Sequence, residues 1–138
     1  LSISYCTTVG AIMYLPLLSI ACGSVLGAWL RWGISLKFNS LFENIPFGTV
    51  IVNLIGAFII GLAVSFFSNS SISPNYKLFV VTGFCGALTT FSTFSIEVVG
   101  LLQNSKLEYA ISTIAIHVIG SLIFTLLGIF TYHLATTH

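Results

Sequence analysis

The sequence predicts an all-α membrane protein with four transmembrane helices, the third broken near its middle. Three observations lead there. Of 138 residues, 57% are hydrophobic and only seven carry a formal charge: Arg31, Lys37, Glu43, Lys77, Glu97, Lys106 and Glu108. A soluble domain would carry about a quarter charged residues. Those charges, with clusters of turn formers, cut the chain into four apolar runs, each near the roughly 20 residues that cross a bilayer. Finally, the third run holds a stretch, Gly83 to Ser95, that is dense in glycine and hydroxyl; five of the seven residues from Thr89 to Ser95 are Thr or Ser.

Residues 1–14 read as an N-terminal extension. Met13 is an attractive alternative start, and the absence of a basic region argues against a cleaved secretory signal. The first span is expected over 15–32. It contains Gly23-x-x-x-Gly27 and ends near Arg31. A loop comes next, marked by Lys37, Asn39, Ser40, Glu43, Asn44 and Pro46. The second span, 47–67, carries Asn53 at mid-depth. The polar connector Ser68-Asn69-Ser70-Ser71-Ile72-Ser73-Pro74-Asn75 is built from turn formers. The third span covers 77–103 and the fourth 109–134, with His117, Ser121 and Thr125 inside it. Connectors this short make each span pack beside the previous one, up-down-up-down, and 15–138 forms one membrane domain.

Net charge is +1, so nucleic acid is not an expected partner; the lipid bilayer is. Cys6, Cys22 and Cys85 have neither metal nor redox spacing and read as small packing residues. No nucleophile–base pair, metal-ligand cluster or phosphate loop is present, so no enzyme is expected. Arg31, Lys37 and Lys106 fall on one side of the membrane and Lys77 on the other. That bias is weak under the positive-inside rule, and it permits insertion in both orientations and hence an antiparallel homodimer. Four helices enclose little space, so a pore needs a second copy.

Gly23, Gly27, Gly56, Gly61, Gly83 and Gly86 let helix backbones approach closely. The run from Gly83 to Thr90 suits a straight helix poorly. Non-helical backbone at membrane depth is tolerated where it is buried in protein or lines a cavity. A break near Gly86–Thr89 is therefore a candidate cation site with main-chain oxygen ligands. The competing reading is an intact helix whose hydroxyls bond back to carbonyls four residues earlier. Asn53 reads equally as interhelical glue or as a pore group whose NH2 replaces water around an anion. Phe91 and Phe94 lie one turn apart. They are core residues on the bland reading. Interleaved with Thr90, Ser92, Thr93 and Ser95, they also suit a path lined by the positive edges of rings. Glu97 and Arg31 sit near span ends, where structural and transport roles are both open. His117 reads more readily as a neutral, hydrogen-bonded residue than as a proton relay.

The residues also carry a family resemblance. The chain is similar to the small bacterial fluoride channels called Fluc or CrcB over nearly everything from Met13 onward. Four blocks stand in the right order: Gly23-Ser24-Val25-Leu26-Gly27-Ala28-Trp29-Leu30-Arg31-Trp32; Pro46 through Gly56, with Asn53; Gly83 through Glu97; and Gly120-Ser121. The third block, Thr-Thr-Phe-Ser-Thr-Phe-Ser and then x-Glu, is the specific one. The resemblance implies an antiparallel, dual-topology homodimer with two pores in the bacterial plasma (inner) membrane, crossing it several times, through which cytoplasmic fluoride leaves passively. It implies that Phe91 and Phe94 are the ring pair of the pore and Asn53 its asparagine. Ser92, Thr93, Glu97 and Ser121 become polar positions along the path, and Arg31 a residue at the pore entrance. Gly86 and Thr89 become the residues whose main-chain oxygens, from both subunits, hold a central sodium ion (Na+). His117 departs from the Asn or Tyr usual at its position, and an imidazole touching the pore would make conduction respond to pH near neutrality.

Two readings compete with the fluoride channel. A proton-coupled small multidrug exporter needs an acidic residue deep in a span, usually the first, and the first span has none. A non-transporting scaffold leaves the polar content of the third span without a purpose.

Overall fold

The computed structural model describes residues 2–41 and 45–137, with side chains from Met13 onward. It is helical throughout. The first helix, α1, runs Ser2–Phe38 without interruption, through Pro16. α2 is Phe47–Ser68. α3, residues 74–88, consists of three abutting pieces: an α-helical turn Pro74–Lys77, a π-helical stretch Leu78–Cys85, and a last α-helical turn Gly86–Leu88. Two extended residues come after it, and α4 resumes at Phe91–Gln103. α5 is Leu107–Thr136. Among the described residues, four segments are long and apolar enough to cross a membrane: Met13–Phe38, Phe47–Ser68, Pro74–Gln103 and Leu107–Thr136.

The expected spans are all present, and most run longer than the charge pattern suggested. α1 carries helix through Lys37 to Phe38, so the loop begins later than Lys37. Glu43 and Asn44 of that loop lie outside the described residues, as does the side chain of Cys6. The third span starts at Pro74, in the N-terminal position that proline favours, with Ser73 as its cap: the Asn75 N–H donates to Ser73 Oγ at 3.4 Å.

Helix contact runs through glycine. A Cβ at Gly23 would land on the Phe79 carbonyl oxygen, and one at Gly27 on that of Phe84; from the other side, a Cβ at Gly83 would lie 2.7 Å from the Ile20 oxygen. α1 and α3 thus touch backbone to backbone, the contact that membrane helices make without a hydrophobic drive. α2 and α5 repeat it, running parallel as the second and fourth spans do, with Gly61 against the Thr125 carbonyl and Gly128 against that of Phe58. The buried side chains are few and lie mostly on α2, α3 and α4: Val50, Val52, Ala57, Cys85, Leu88, Phe94 and Val98 among them. Large apolar side chains face outward along every span, and Trp29 and Trp32 stand exposed near the end of α1, where an aromatic belt meets the membrane surface.

The α4–α5 turn has its own device. Ser105 takes a left-handed conformation, φ 57°. The Lys106 N–H then reaches the Leu101 carbonyl at 2.9 Å, and the Ser105 N–H that of Leu102 at 3.1 Å. This is the pair of bonds that closes a helix C-terminus, with Ser where Gly is usual.

A cleft around the break in the third span

The break falls at Thr89 and Thr90, both extended (φ −80°, ψ 154° and φ −150°, ψ 116°). It lies at the C-terminal end of the stretch that the sequence marked. Each side of it is held. The Thr89 N–H and hydroxyl both donate to the Cys85 carbonyl, at 3.0 and 2.8 Å, closing the end of α3. Thr90 caps α4: its hydroxyl oxygen accepts from the Thr93 N–H at 3.2 Å, and its O–H donates to Thr93 Oγ1 at 2.9 Å. The Ser92 hydroxyl lies 3.3 Å from it. Ser95 Oγ donates to the Phe91 carbonyl at 2.8 Å. Break and back-bonding therefore coexist: the helix parts where two adjacent threonines supply the caps, and beyond it the Ser95 hydroxyl returns to local backbone while those of Ser92 and Thr93 meet the Thr90 side chain.

Asn53 bridges the gap from α2. Its Oδ1 accepts the Thr90 N–H at 2.7 Å, and its Nδ2 donates to the Thr90 carbonyl at 3.0 Å. The second Nδ2 proton is directed at His117 Nδ1, 3.0 Å away on α5. An amide nitrogen only donates, so Nδ1 is the acceptor and the neutral ring carries its proton on Nε2. His117 is thus the hydrogen-bonded residue that its setting favoured, and within one protomer Asn53 serves as glue with both N–H groups engaged. The Phe94 ring stacks at a tilt on the imidazole, centroids 4.7 Å apart.

These groups border a cleft of about 420 Å³. Of the residues singled out in the sequence, Asn53, Gly86, Thr89, Phe91, Phe94, His117 and Ser121 line it, together with Gly56, Cys85, Thr90 and Thr125. Ser92, Thr93, Glu97 and Arg31 do not. Phe91 and Phe94 have centroids 5.3 Å apart, yet differ in setting: Phe94 is 8% exposed and Phe91 76%. Ser92 is exposed as well. Arg31 is half-buried near the end of α1. Glu97 accepts from the Thr49 hydroxyl at 2.5 Å, one helical turn along α2 from Asn53.

The carbonyls of Gly86 and Thr89 are released by the same geometry. In an unbroken helix Gly86 C=O would accept from the Thr90 N–H, but that proton goes to Asn53; Thr89 C=O would accept from the Thr93 N–H, which goes to the Thr90 hydroxyl. Both residues border the cleft, and a Cβ at Gly86 would meet only the Val81 oxygen, at 3.8 Å. Main-chain oxygens released by irregular backbone beside a cleft are donors of the kind that fit a monovalent cation.

Sequence reasoning missed Thr49 and Thr113. Each is buried, at 1% and 0% exposure, and each stands four residues before a polar residue already singled out, Asn53 and His117. That spacing was the available signal.

Known proteins resemble this chain along most of its length. The profile described as "CrcB-like protein, Camphor Resistance (CrcB)" matches residues 18–129. A protein named fluoride-specific ion channel FluC from Acinetobacter baumannii (strain SDF) is 65% identical over 126 residues, covering 91% of this chain and all of its own length. One of the same name from Acinetobacter baylyi is 62% identical over the same extents. A third, from Pseudomonas putida (strain W619), is 53% identical over 122 residues, 88% of this chain and 96% of its own. With a profile match over most of the chain and relatives this similar along their length, the chain is a multi-pass membrane protein that belongs to the CrcB family.

Proposed function

We propose that the protein is a fluoride-selective ion channel. It lets cytoplasmic fluoride leave passively down its electrochemical gradient and so lowers the toxicity of the ion. The observation that carries this reading is the Phe91–Phe94 pair set beside the Asn53-pinned break, in a chain whose relatives bear the name of fluoride channels. Fluoride is small and strongly hydrated, so a selective path has to replace its water with donors without trapping it on a fixed cation. Ring edges, hydroxyls and the Asn53 amide meet that need. The anion reaches Asn53 by taking the N–H that otherwise goes to His117. Ser92, Thr93, Glu97 and Ser121 continue the path, and Arg31 stands at its entrance.

The working unit is an antiparallel, dual-topology homodimer in the bacterial inner membrane. Two features support it. Phe91 and Ser92 are exposed at the break, and a cleft with free carbonyls at membrane depth requires cover other than lipid. A second copy supplies that cover. Gly86 and Thr89 carbonyls from both copies hold a sodium ion at the dimer centre. Bound there, the ion supplies fixed positive charge that joins the two breaks; the chain's own part is to present the oxygens that Asn53 and Thr90 set free.

A proton-coupled exporter is less well supported. Its acidic residue would have to be Glu97, and one carboxylate oxygen there already accepts from Thr49. The deciding experiment uses purified protein in liposomes, with fluoride efflux monitored by an ion electrode and chloride efflux as control. Rapid fluoride loss without chloride loss is expected. Equal loss of both, or proton movement that depends on a drug, would overturn the reading.

A further inference from the structure

Beyond the cleft, on the Thr49 side of Asn53, α2, α4 and α5 enclose polar atoms that have no partner among the described residues: Glu97 Oε2, Thr113 Oγ1 and His117 Nε2. Thr113 is 0% exposed and His117 6%. Such atoms are costly to bury alone, roughly 1–3 kcal/mol each. The hydrogen bonds that do form put the three in one neighbourhood. Asn53 to His117 ties α2 to α5, and Thr49 to Glu97 ties α2 to α4 one turn away. Thr113 is one turn from His117 on α5, in the direction that the parallel α2–α5 pairing sets opposite Thr49.

The hydroxyl of Thr113 differs from others on its helix. Ser112, Thr125 and Thr131 donate to the carbonyl four residues back, at 2.8, 2.9 and 2.7 Å. Thr113 makes no such bond. The chemistry of the three groups is complementary rather than alike. With Nδ1 accepting from Asn53, His117 Nε2 is a donor. Thr113 donates or accepts. Glu97 Oε2 is a carboxyl oxygen whose sister oxygen is already engaged. Neutral donors and an acceptor in a closed polar interior are what buried water satisfies, typically with about three bonds.

We propose an internal hydration site in the α2–α4–α5 interface, holding one or two ordered waters that accept from His117 Nε2–H and the Thr113 hydroxyl and donate to Glu97 Oε2. The site joins the imidazole that anchors Asn53 to the carboxyl that anchors Thr49, so the two polar ties across α2 act as one network. Thr113 is a positioning residue: it seats the water, and through it sets the environment of Glu97.

The test reads Glu97 directly. Infrared spectra of the reconstituted protein give the Glu97 carboxyl band, assigned by its loss in Glu97→Gln. Thr113→Val, close in shape but without the hydroxyl, is expected to shift that band and cut fluoride flux several-fold; Thr113→Ser is expected to keep both near wild type. An unchanged band in Thr113→Val would overturn the proposal. So would a high-resolution structure of the unmutated protein with an interface that is dry between these atoms, a measurement that stands even where Thr113→Val fails to fold. Neither the band nor the water depends on which ion the protein conducts, so a failed proposal here leaves the channel reading to its own experiment.

Discussion

Asn53 grips Thr90 by both of its backbone polar groups, accepting the N–H at 2.7 Å and donating to the carbonyl at 3.0 Å. A side-chain amide thereby stands in for the carbonyl that the Thr90 N–H lost when the helix parted. Asn53→Ala leaves the Thr90 N–H and His117 Nδ1 unpartnered and takes one of its donors from the Thr90 carbonyl. It should destabilise the folded protein by about 2–4 kcal/mol, read as a lowered melting temperature in detergent, and should abolish fluoride efflux. Asn53→Asp keeps the acceptor for the Thr90 N–H but sets oxygen against the Thr90 carbonyl, and should lose conduction with less of the stability.

The two phenylalanines should separate. Phe94 is buried on His117, so Phe94→Ile costs about 1–2 kcal/mol of stability as well as flux. Phe91 is exposed in the protomer, so Phe91→Ile should leave protomer stability almost unchanged while cutting flux severely. Full conduction in both single variants would reduce the rings to packing.

Sodium should matter to assembly. Replacing Na+ with N-methylglucamine during purification is expected to weaken the dimer, seen as a shift toward the monomer in multi-angle light scattering, and to lower flux. Indifference of both to the cation would remove the role given to the Gly86 and Thr89 carbonyls.

Close approach predicts a contrast between two glycines of α1. Gly27→Ala drives a methyl into the Phe84 carbonyl and should cost about 3 kcal/mol or more, with little folded protein recovered. Gly33 has nothing within 4 Å; Gly33→Ala should be tolerated and add up to about 1 kcal/mol through helix propensity.

His117 should confer pH dependence. Nδ1 accepts from Asn53 only while it carries no proton; once protonated, it confronts the Asn53 N–H and the tie opens. Flux should fall as pH drops from about 8 toward about 5.5, after subtraction of leak from protein-free liposomes. Of the titratable groups on the surrounding helices, Cys85 on α3 lines the same cleft and Glu97 on α4 holds Thr49 one turn from Asn53; Tyr76, Lys77, Glu108, Tyr109, Tyr132 and His133 stand toward the span ends. A response that survives in His117→Asn would belong to Glu97 instead.

The four spans and the site of the break were legible because both rest on composition along the chain: charge sparsity for the spans, glycine and paired threonine for the break. The π-helical stretch Leu78–Cys85 was not. It depends on how α3 lies against α1, and no residue type in Leu-Phe-Val-Val-Thr-Gly-Phe-Cys announces a wide turn. The role of Asn53 stayed double in the sequence because an amide is equally suited to a peptide or an anion. Only the position of Thr90 decides what it holds in the protomer. Thr113 and Thr49 passed as ordinary membrane threonines, because their importance comes from the groups that face them across α2.

The wide turns of Leu78–Cys85 also fix the phase of the helix beyond them. A π-helical turn closes its hydrogen bonds one residue further along than an α-helical turn. Were the same eight residues to wind as ordinary helix, every later position would swing by roughly 100° around the axis. Gly86 and Thr89 would then point elsewhere, and Thr90 would leave the reach of Asn53. A single-residue insertion in this segment should therefore be as damaging as changes to the threonines themselves, whereas a deletion that lets the stretch relax into ordinary helix should largely keep the phase, and most of its side chains could be exchanged for other apolar ones.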